Sequence, residues 1–386
     1  MSKREAFIVA VNRTPLGSFK SKLRKFTATQ LGSLAIKGLF EKTTVKPDQI
    51  DEVFFGNVLQ GGLGQAPAKQ AALNAGVSNT TPCTTVNKVC ASSMKAIQLA
   101  YDTIFAGHNE IVLAGGQESM SMAPFAIGRG PPKYGGDKMI DLLMNDGLTD
   151  SFTGMHMGSC AEKIVQKLGI TREEQDEYAE MSYNRARDAW ATGALTEVSP
   201  VVLDGKTILA ADEEIENMPG DFSKVRALFD KPEVASITAG NTSKLSDGAC
   251  AVLVVSGEAM TKLNLKPIAR IIGHADAATE SFNFTEAVNF AVEKALKKYG
   301  LSAEQIDHWE VNEAFASVVI AVEKHFKIPR DKMNTSGGAI SLGHPFGCSG
   351  ARITTRLALR LEPGQIGMAA ICNGGGGGGA ILLQGV

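Results

Sequence analysis

The chain has 386 residues, 44% of them hydrophobic and 21% charged, with a formal net charge of −2. That apolar content supplies a large core, and the length exceeds what one ordinary domain needs. The near balance of charge gives no basic face for nucleic acid, and no apolar run is long enough to span a bilayer.

Six cysteines in a chain of this size, with no CxxC pair, do not form a disulfide framework. No clustered His/Cys spacing calls for a metal. Met1-Ser2-Lys3-Arg4 is too short for a transit peptide, and Leu383-Gln384-Gly385-Val386 is not a peroxisomal signal. As written, the chain reads as cytoplasmic, or as mitochondrial-matrix if a transit peptide has been removed.

Ala6 to Val11 is a strand, and Thr29 to Glu41 is a helix with Leu31, Leu34, Ala35, Leu39 and Phe40 as its apolar set. Gln49 leads into a strand ending at Phe55, and Gln65 to Ala75 is a second helix with Pro67 in its first turn. Met94, Ile97, Tyr101, Ile104 and Phe105 mark a third helix just after Cys90. The strand Ile111 to Ala114 then ends in Gly115-Gly116.

A long segment, 119–244, follows. It holds the stretch Gly128-Arg129-Gly130-Pro131-Pro132 and a helix from Arg172 to Trp190, opened by a capping box from Thr171 to Glu174. Long insertions of this kind usually carry function. Ala249 to Val255 reads as a strand returning to the first half.

The far half repeats the order. Ile268 to Ile272 is a strand, Val288 to Tyr299 a helix, and a strand runs through Val311. Gln49-Ile50-Asp51 matches Gln305-Ile306-Asp307, and Gln49 lies 41 positions before Cys90 as Gln305 lies 43 before Cys348. This is a duplicated α/β unit with mostly parallel sheets expected under its helices. The first half takes 1–118 plus 245–266, the inserted domain 119–244, and the second half 267–386.

Glycine clusters after the apolar runs suggest close backbone approach to a ligand. Gly374 to Gly379 meets the dinucleotide pattern only because every position is glycine, and a strand-like run follows where that fold needs a helix. Cys90 sits near a helix N-terminus, where free N–H groups and the dipole are expected to lower a thiol's pKa. Two cysteines and a histidine at glycine-rich segments suit a two-stage acyl transfer, with donors needed at each developing oxyanion.

The segments Val86 to Lys95 around Cys90, Val311-Asn312-Glu313-Ala314-Phe315-Ala316, Ser341-Leu342-Gly343-His344-Pro345 and Ile371-Cys372-Asn373-Gly374 occur in this order. On them the chain resembles the thiolases, and within that family the acetyl-CoA acetyltransferases, from its first strand to Val386. The resemblance implies an α/β thiolase fold, with duplicated halves in five layers and an inserted loop domain over the active site that holds coenzyme A. It implies reversible condensation of two acetyl-CoA to acetoacetyl-CoA through an acetyl-cysteine, and a homotetramer built as a dimer of dimers.

By the same resemblance Cys90 is the acylated nucleophile, His344 its base, and Cys372 the acid/base for the α-proton. Asn312 holds a water in one oxyanion hole with His344, and the N–H groups of Gly374 and Cys90 form the other. His156 lies near the thioester, Ser243 contacts pantetheine, and Met157 and Phe315 wall the acyl pocket. His108, His274, His308, His325, Cys83, Cys160 and Cys250 match no catalytic motif. Cys348 is equivalent to Cys90 in the repeat and is not expected to react.

Acyl-CoA thioesters are then substrates, with no cofactor. In mitochondrial members, carbonyls of the loop matching Thr238 to Thr242 and a tyrosine bind potassium, but Ile215 stands here where that tyrosine is expected. Ser93 replaces a usual glycine and is expected to crowd the turn behind Cys90. Two alternatives stay open: a degradative 3-ketoacyl-CoA thiolase of β-oxidation, and a non-catalytic acyl-CoA or lipid-binding protein on this fold.

Overall fold

The computed structural model describes residues 4–131, 134–230 and 234–386. Met1 to Lys3 and Pro132, named above, lie outside the described residues. β1 (Ala6–Arg13) is buried throughout. After the short β2 (Gly17–Ser18), α1 (Ala28–Phe40) begins at Thr27, whose hydroxyl accepts from the Gln30 N–H while the Gln30 side chain accepts from the Thr27 N–H. β3 (Glu52–Gly56), α2 (Pro67–Asn74), β4 (Cys83–Val86), α3 (Ser92–Phe105) and β5 (Ile111–Ser119) follow.

The inserted segment carries two small hairpins, β6 (Phe125–Ala126) with β7 (Ile140–Asp141) and β8 (Val201–Leu203) with β9 (Lys206–Leu209). It also carries α4 (Met157–Leu168) and α5 (Arg172–Ala191), and α5 starts with the expected Thr171 and Glu174 capping box. β10 (Ser246–Ser256) and α6 (Gly257–Lys262) close the first half. The second half runs β11 (Ala269–Ala278), α7 (Ala287–Tyr299), β12 (His308–Val311), α8 (Ala316–Phe326), α9 (Ala339–Leu342), α10 (Phe346–Arg360), β13 (Ile366–Asn373) and β14 (Gly377–Gly385).

Apart from those two hairpins, the strands form one sheet in the order β12-β13-β14-β11-β1-β10-β5-β3-β4, with β2 paired to β10. The expectation of mostly parallel pairing fails. Parallel pairing is confined to β12–β13, β3–β4 and β3–β5, and the other pairs of this sheet are antiparallel. The reason is connection length. Only Gly374 to Gly376 separate β13 from β14, which permits a hairpin and no crossover. β10 enters from the insertion and slots antiparallel between β1 and β5.

The duplication is visible in the order. β1-β10-β5-β3 matches β11-β14-β13-β12, and a lone parallel bridge from Trp309 to Met333 takes the place of β4. The half-sheets join only where Ala6–Ile8 pairs with Ala269–Ile271. α1 and α2 cover the outer face of the first half with Leu31, Ile36 and Ala71 against Phe55, Leu113 and Leu253. α3 and α10 lie between the half-sheets, where Met94, Ile97 and Ile353 meet Val252 and Ile381. α7 and α8 cover the second half, joined by α4 and α5. Helix, sheet, helix, sheet, helix is therefore the layering, and both central helices start near the same end of the sandwich.

Ser93 does not crowd the turn. It lies in the first turn of α3, buried, and its hydroxyl accepts from the Ala351 N–H of α10 at 2.9 Å. The glycine run at the tail has a steric cause. Gly376 is at φ 79°, and a Cβ there would stand 2.3 Å from the Thr279 carbonyl oxygen.

Candidate active site

Cys90 lies two residues before α3 begins, half-buried, on a loop whose Val89 has φ 47°. A β-branched residue there is strained, and local bonds hold it. Asn87 Oδ1 accepts from the Val89 N–H at 3.0 Å, and Ser92 Oγ donates to the Val89 carbonyl at 2.6 Å. Desolvation pushes the Cys90 thiol up to about 12, with the N–H groups of Gly374 and Cys90 pulling the other way and Glu118 adding to the rise. This corrects the expected low pKa, because burial outweighs the helix terminus. The N–H groups of Gly374 and Cys90 thus both act on the sulfur.

His344 is buried, in the short link between α9 and α10. Gly343 before it has φ 116°, and a Cβ there would lie 2.2 Å from Ser246 Oγ, so the link needs glycine. Ser349 Oγ donates to the Pro345 carbonyl at 3.0 Å and sits 2.6 Å from His344 Nδ1. With its proton so committed, Ser349 accepts from Nδ1–H, which leaves Nε2 unprotonated and an acceptor. Burial first, and Arg352 second, lower the imidazole to about 3, so it is neutral at physiological pH.

Asn312 does not cap a helix, because α8 starts later, at Ala316. Its N–H donates to Ala370, and its Nδ2 lies 3.5 Å from His344 Nε2. Asn312 Oδ1 is buried and makes no hydrogen bond among the described residues. Cys372, near the end of β13, is buried, and desolvation and then the neighbouring Cys90 raise its thiol far above the usual range.

Residues 6–258 match the thiolase N-terminal domain, and residues 265–385 match the thiolase C-terminal domain. The chain belongs to the thiolase family. Mitochondrial acetyl-CoA acetyltransferase of Bos taurus is 49% identical over 386 residues, 98% of this chain and 91% of that protein. The protein of the same name from Homo sapiens is 48% identical over 389 residues, 99% of this chain and 90% of that protein. The solved structure of Acat5 thiolase from Ascaris suum in complex with coenzyme A matches with a TM-score of 0.96 at 41% identity, covering 99% of this chain and 100% of that one. The thiolase fold expected from the motifs is thus the fold found.

In this thiolase Cys90, His344, Cys372 and Gly374 line one cavity with Met157, Ser243 and Phe315. Asn312 reaches it through His344. His156 does not line it. Its Nδ1 accepts from the Gly158 N–H at 3.0 Å as the cap of α4, and its ring stacks on Phe229 at 4.7 Å. Burial lowers its pKa, which leaves a neutral ring with Nε2–H as donor.

The sequence reasoning missed several parts. Leu148, Phe284 and Phe346 also wall the cavity. Phe346 could have been found, since it follows the His344-Pro345 motif directly. Leu148 and Phe284 arrive from distant segments, and no spacing announces them. Glu118 was also missed. Its buried carboxylate accepts from Asn57 Nδ2 and from the N–H groups of Val58, Leu59 and Gly347, tying the 57–59 loop to the start of α10. Burial nevertheless raises it to about 7 against those four bonds.

Proposed function

We propose that this chain is an acetyl-CoA C-acetyltransferase, an acyltransferase that condenses two acetyl-CoA reversibly to acetoacetyl-CoA and CoA through acetyl-Cys90. The observation that carries this reading is the meeting of two thiols and a neutral imidazole at one small, largely apolar cavity. The acetyl-CoA acetyltransferase relatives and the likeness to a coenzyme A complex support it.

The site rests with both thiols and the imidazole neutral. His344 Nε2 takes the Cys90 proton as the sulfur attacks the thioester carbonyl, whose oxygen gains charge as the bond forms. The CoA sulfur leaves and takes the Cys372 proton. The Cys372 thiolate then removes an α-proton from the second acetyl-CoA, and the enolate attacks acetyl-Cys90. As Cys90 leaves, His344 returns its proton, so each group ends as it began. The oxyanion at acetyl-Cys90 faces the N–H groups of Gly374 and Cys90. The enolate oxygen faces His344 Nε2–H and a water held by Asn312, whose buried Oδ1 is free to accept. Ser243, Met157 and Phe315 face the substrate thioester and pantetheine, and His156, outside that lining, offers its Nε2–H as a further donor.

Mass spectrometry after mixing with acetyl-CoA tests this reading. One acetyl group on the Cys90 peptide is expected, and an unmodified enzyme would sink it, leaving the acyl-CoA-binding protein instead. Cavity size favours short acyl groups over the degradative reading. At about 50 Å³, with Phe284, Phe315 and Phe346 as walls, it has room for a few water-sized groups. Higher kcat/KM with a long-chain 3-ketoacyl-CoA than with acetoacetyl-CoA would reverse that choice.

Assembly as a homotetramer is part of the proposal. Phe125, Ile127 and Met139, each at least 60% exposed on or beside the β6–β7 hairpin, form an apolar projection that a second copy would cover. Light scattering that returned a monomer would end it. The mitochondrial naming of the relatives supports a mitochondrial placement, which organelle fractionation tests.

A further inference from the structure

The loop 238–243 carries Ser243 into the cavity, and beside Thr238 and Asn241, which bond within it, a side chain that no motif singled out helps to fix it. Lys244 Nζ donates to the Ala239 carbonyl at 2.6 Å and to the Thr242 carbonyl at 2.7 Å. It lies 5.8 Å from the ring centre of Tyr183. Burial lowers its pKa to about 8 against the opposing pull of the Glu214 and Glu313 carboxylates, which still leaves the amine mostly charged at neutral pH. Glu214 accepts from Asn217 Nδ2, and Glu313 accepts from Tyr178, Ser182, Asn334 and the Ile340 N–H, so neither is a bare partner.

The backbone of the same loop reaches the catalytic groups. The Ser243 N–H donates to Ala314, and the Ala316 N–H donates to Asn241, both at 3.0 Å. These bonds bracket Phe315. The Lys244 carbonyl accepts from the His344 N–H at 2.9 Å and from Ser246 Oγ at 2.9 Å. One residue therefore gathers the loop's carbonyls with its side chain and holds the histidine segment with its backbone.

These residues do not fit a potassium ion. Two carbonyls of the loop that would ligate it already accept from an ammonium group, and Ile215 offers no side-chain oxygen. A potassium ion beside Lys244 Nζ would also meet a like charge at short range. We propose that the Lys244 ammonium is the resident cation of the 239–243 loop, a positioning group that sets Ser243, Phe315 and His344 for the coenzyme A thioester in place of a bound metal ion. The inference rests on the acetyl-CoA reading of the cavity.

The test has three arms, each with thermal unfolding as a fold control. Wild type should give the same KM for acetyl-CoA in potassium, sodium and ammonium chloride at equal ionic strength. Lys244→Met keeps the bulk without the charge. Its KM should rise about tenfold or more, the weight of losing charge-assisted hydrogen bonds, with kcat changed less and no cation restoring it. Lys244→Ala opens the position, and ammonium or methylammonium should restore much of its KM. Several-fold potassium activation of wild type overturns the inference, as does an unchanged KM in Lys244→Met. An impaired Lys244→Ala that no cation rescues overturns it too, leaving a packing role. A wild type with no thiolase turnover would instead count against the function itself.

Discussion

Cys90 and Cys348 occupy matching places in the two halves, each at the N-terminal end of a central helix. Burial raises both thiols and Glu118 acts on both, but the rest of their surroundings differs. Cys348 is the third residue of α10, wholly buried, with Cys250, Arg13 and Arg352 as its electrostatic neighbours. Cys90 stands two residues ahead of α3, because the left-handed Val89 turns the chain before the helix forms. The turn points one sulfur at a cavity, a histidine and two N–H groups. In the other half, Pro345 leads straight into the helix and the sulfur stays in the core. The repeated unit therefore supplies the helix, and the loop before it supplies the chemistry.

The hardest way to break that contrast is to remove the sulfur that faces the cavity. Cys90→Ala should cut turnover by roughly four orders of magnitude or more, as losing a nucleophile does, and leave the unfolding temperature near wild type. A mutant that lost its thermal transition would mean that Cys90 is structural.

The second test separates Cys90 from Cys372 within the site. With labelled acetyl-CoA and a quench, Cys372→Ala should retain label and form no acetoacetyl-CoA, while Cys90→Ala retains none. Residues on successive steps leave distinct intermediates. Equal labelling of both variants, or label on the Cys372 peptide of wild type, would exchange the two roles.

The third test turns on the raised Cys90 thiol. With its pKa pushed to about 12, the thiolate fraction is small near neutrality and grows tenfold per pH unit. Alkylation of Cys90 by iodoacetamide should therefore keep rising from pH 6 to 9 with no plateau. His344, neutral above about 3, should add no inflection near its ordinary value. A plateau above pH 7 would restore the low-pKa thiol that the helix terminus suggests.

That pKa marks the limit of what the sequence could tell. Element order, the repeat and the capping box at Thr171 were legible, because each is a local pattern of spacing. So were Cys90, Asn312, His344 and Cys372 as members of one site, through motif resemblance and not through spacing. Strand direction was misread, because β10 comes back from a distant insertion and β14 turns back on three glycines. Desolvation is a sum over neighbours from both halves, so no segment around Cys90 could reveal it. Lys244 was invisible for the same reason, since its meaning depends on which carbonyls the fold brings to its ammonium.

The smallest effect expected belongs to the buried counterpart. Cys348→Ala removes one sulfur from a close-packed layer, where Cys250, Ala351 and Ile353 share the core. Partial collapse of neighbours should hold the cost to about 1 kcal/mol, in the range for deleting one buried group. The same substitution should leave the acetylation rate of Cys90 unchanged, since Cys348 does not line the cavity. Iodoacetamide should label Cys348 only after unfolding. The paired measurement is unfolding in denaturant beside acetylation kinetics on one preparation. A slowed acetylation with unchanged stability would mean that the second half's sulfur still communicates with the site, and that the loop before α3 is not the whole difference between the halves.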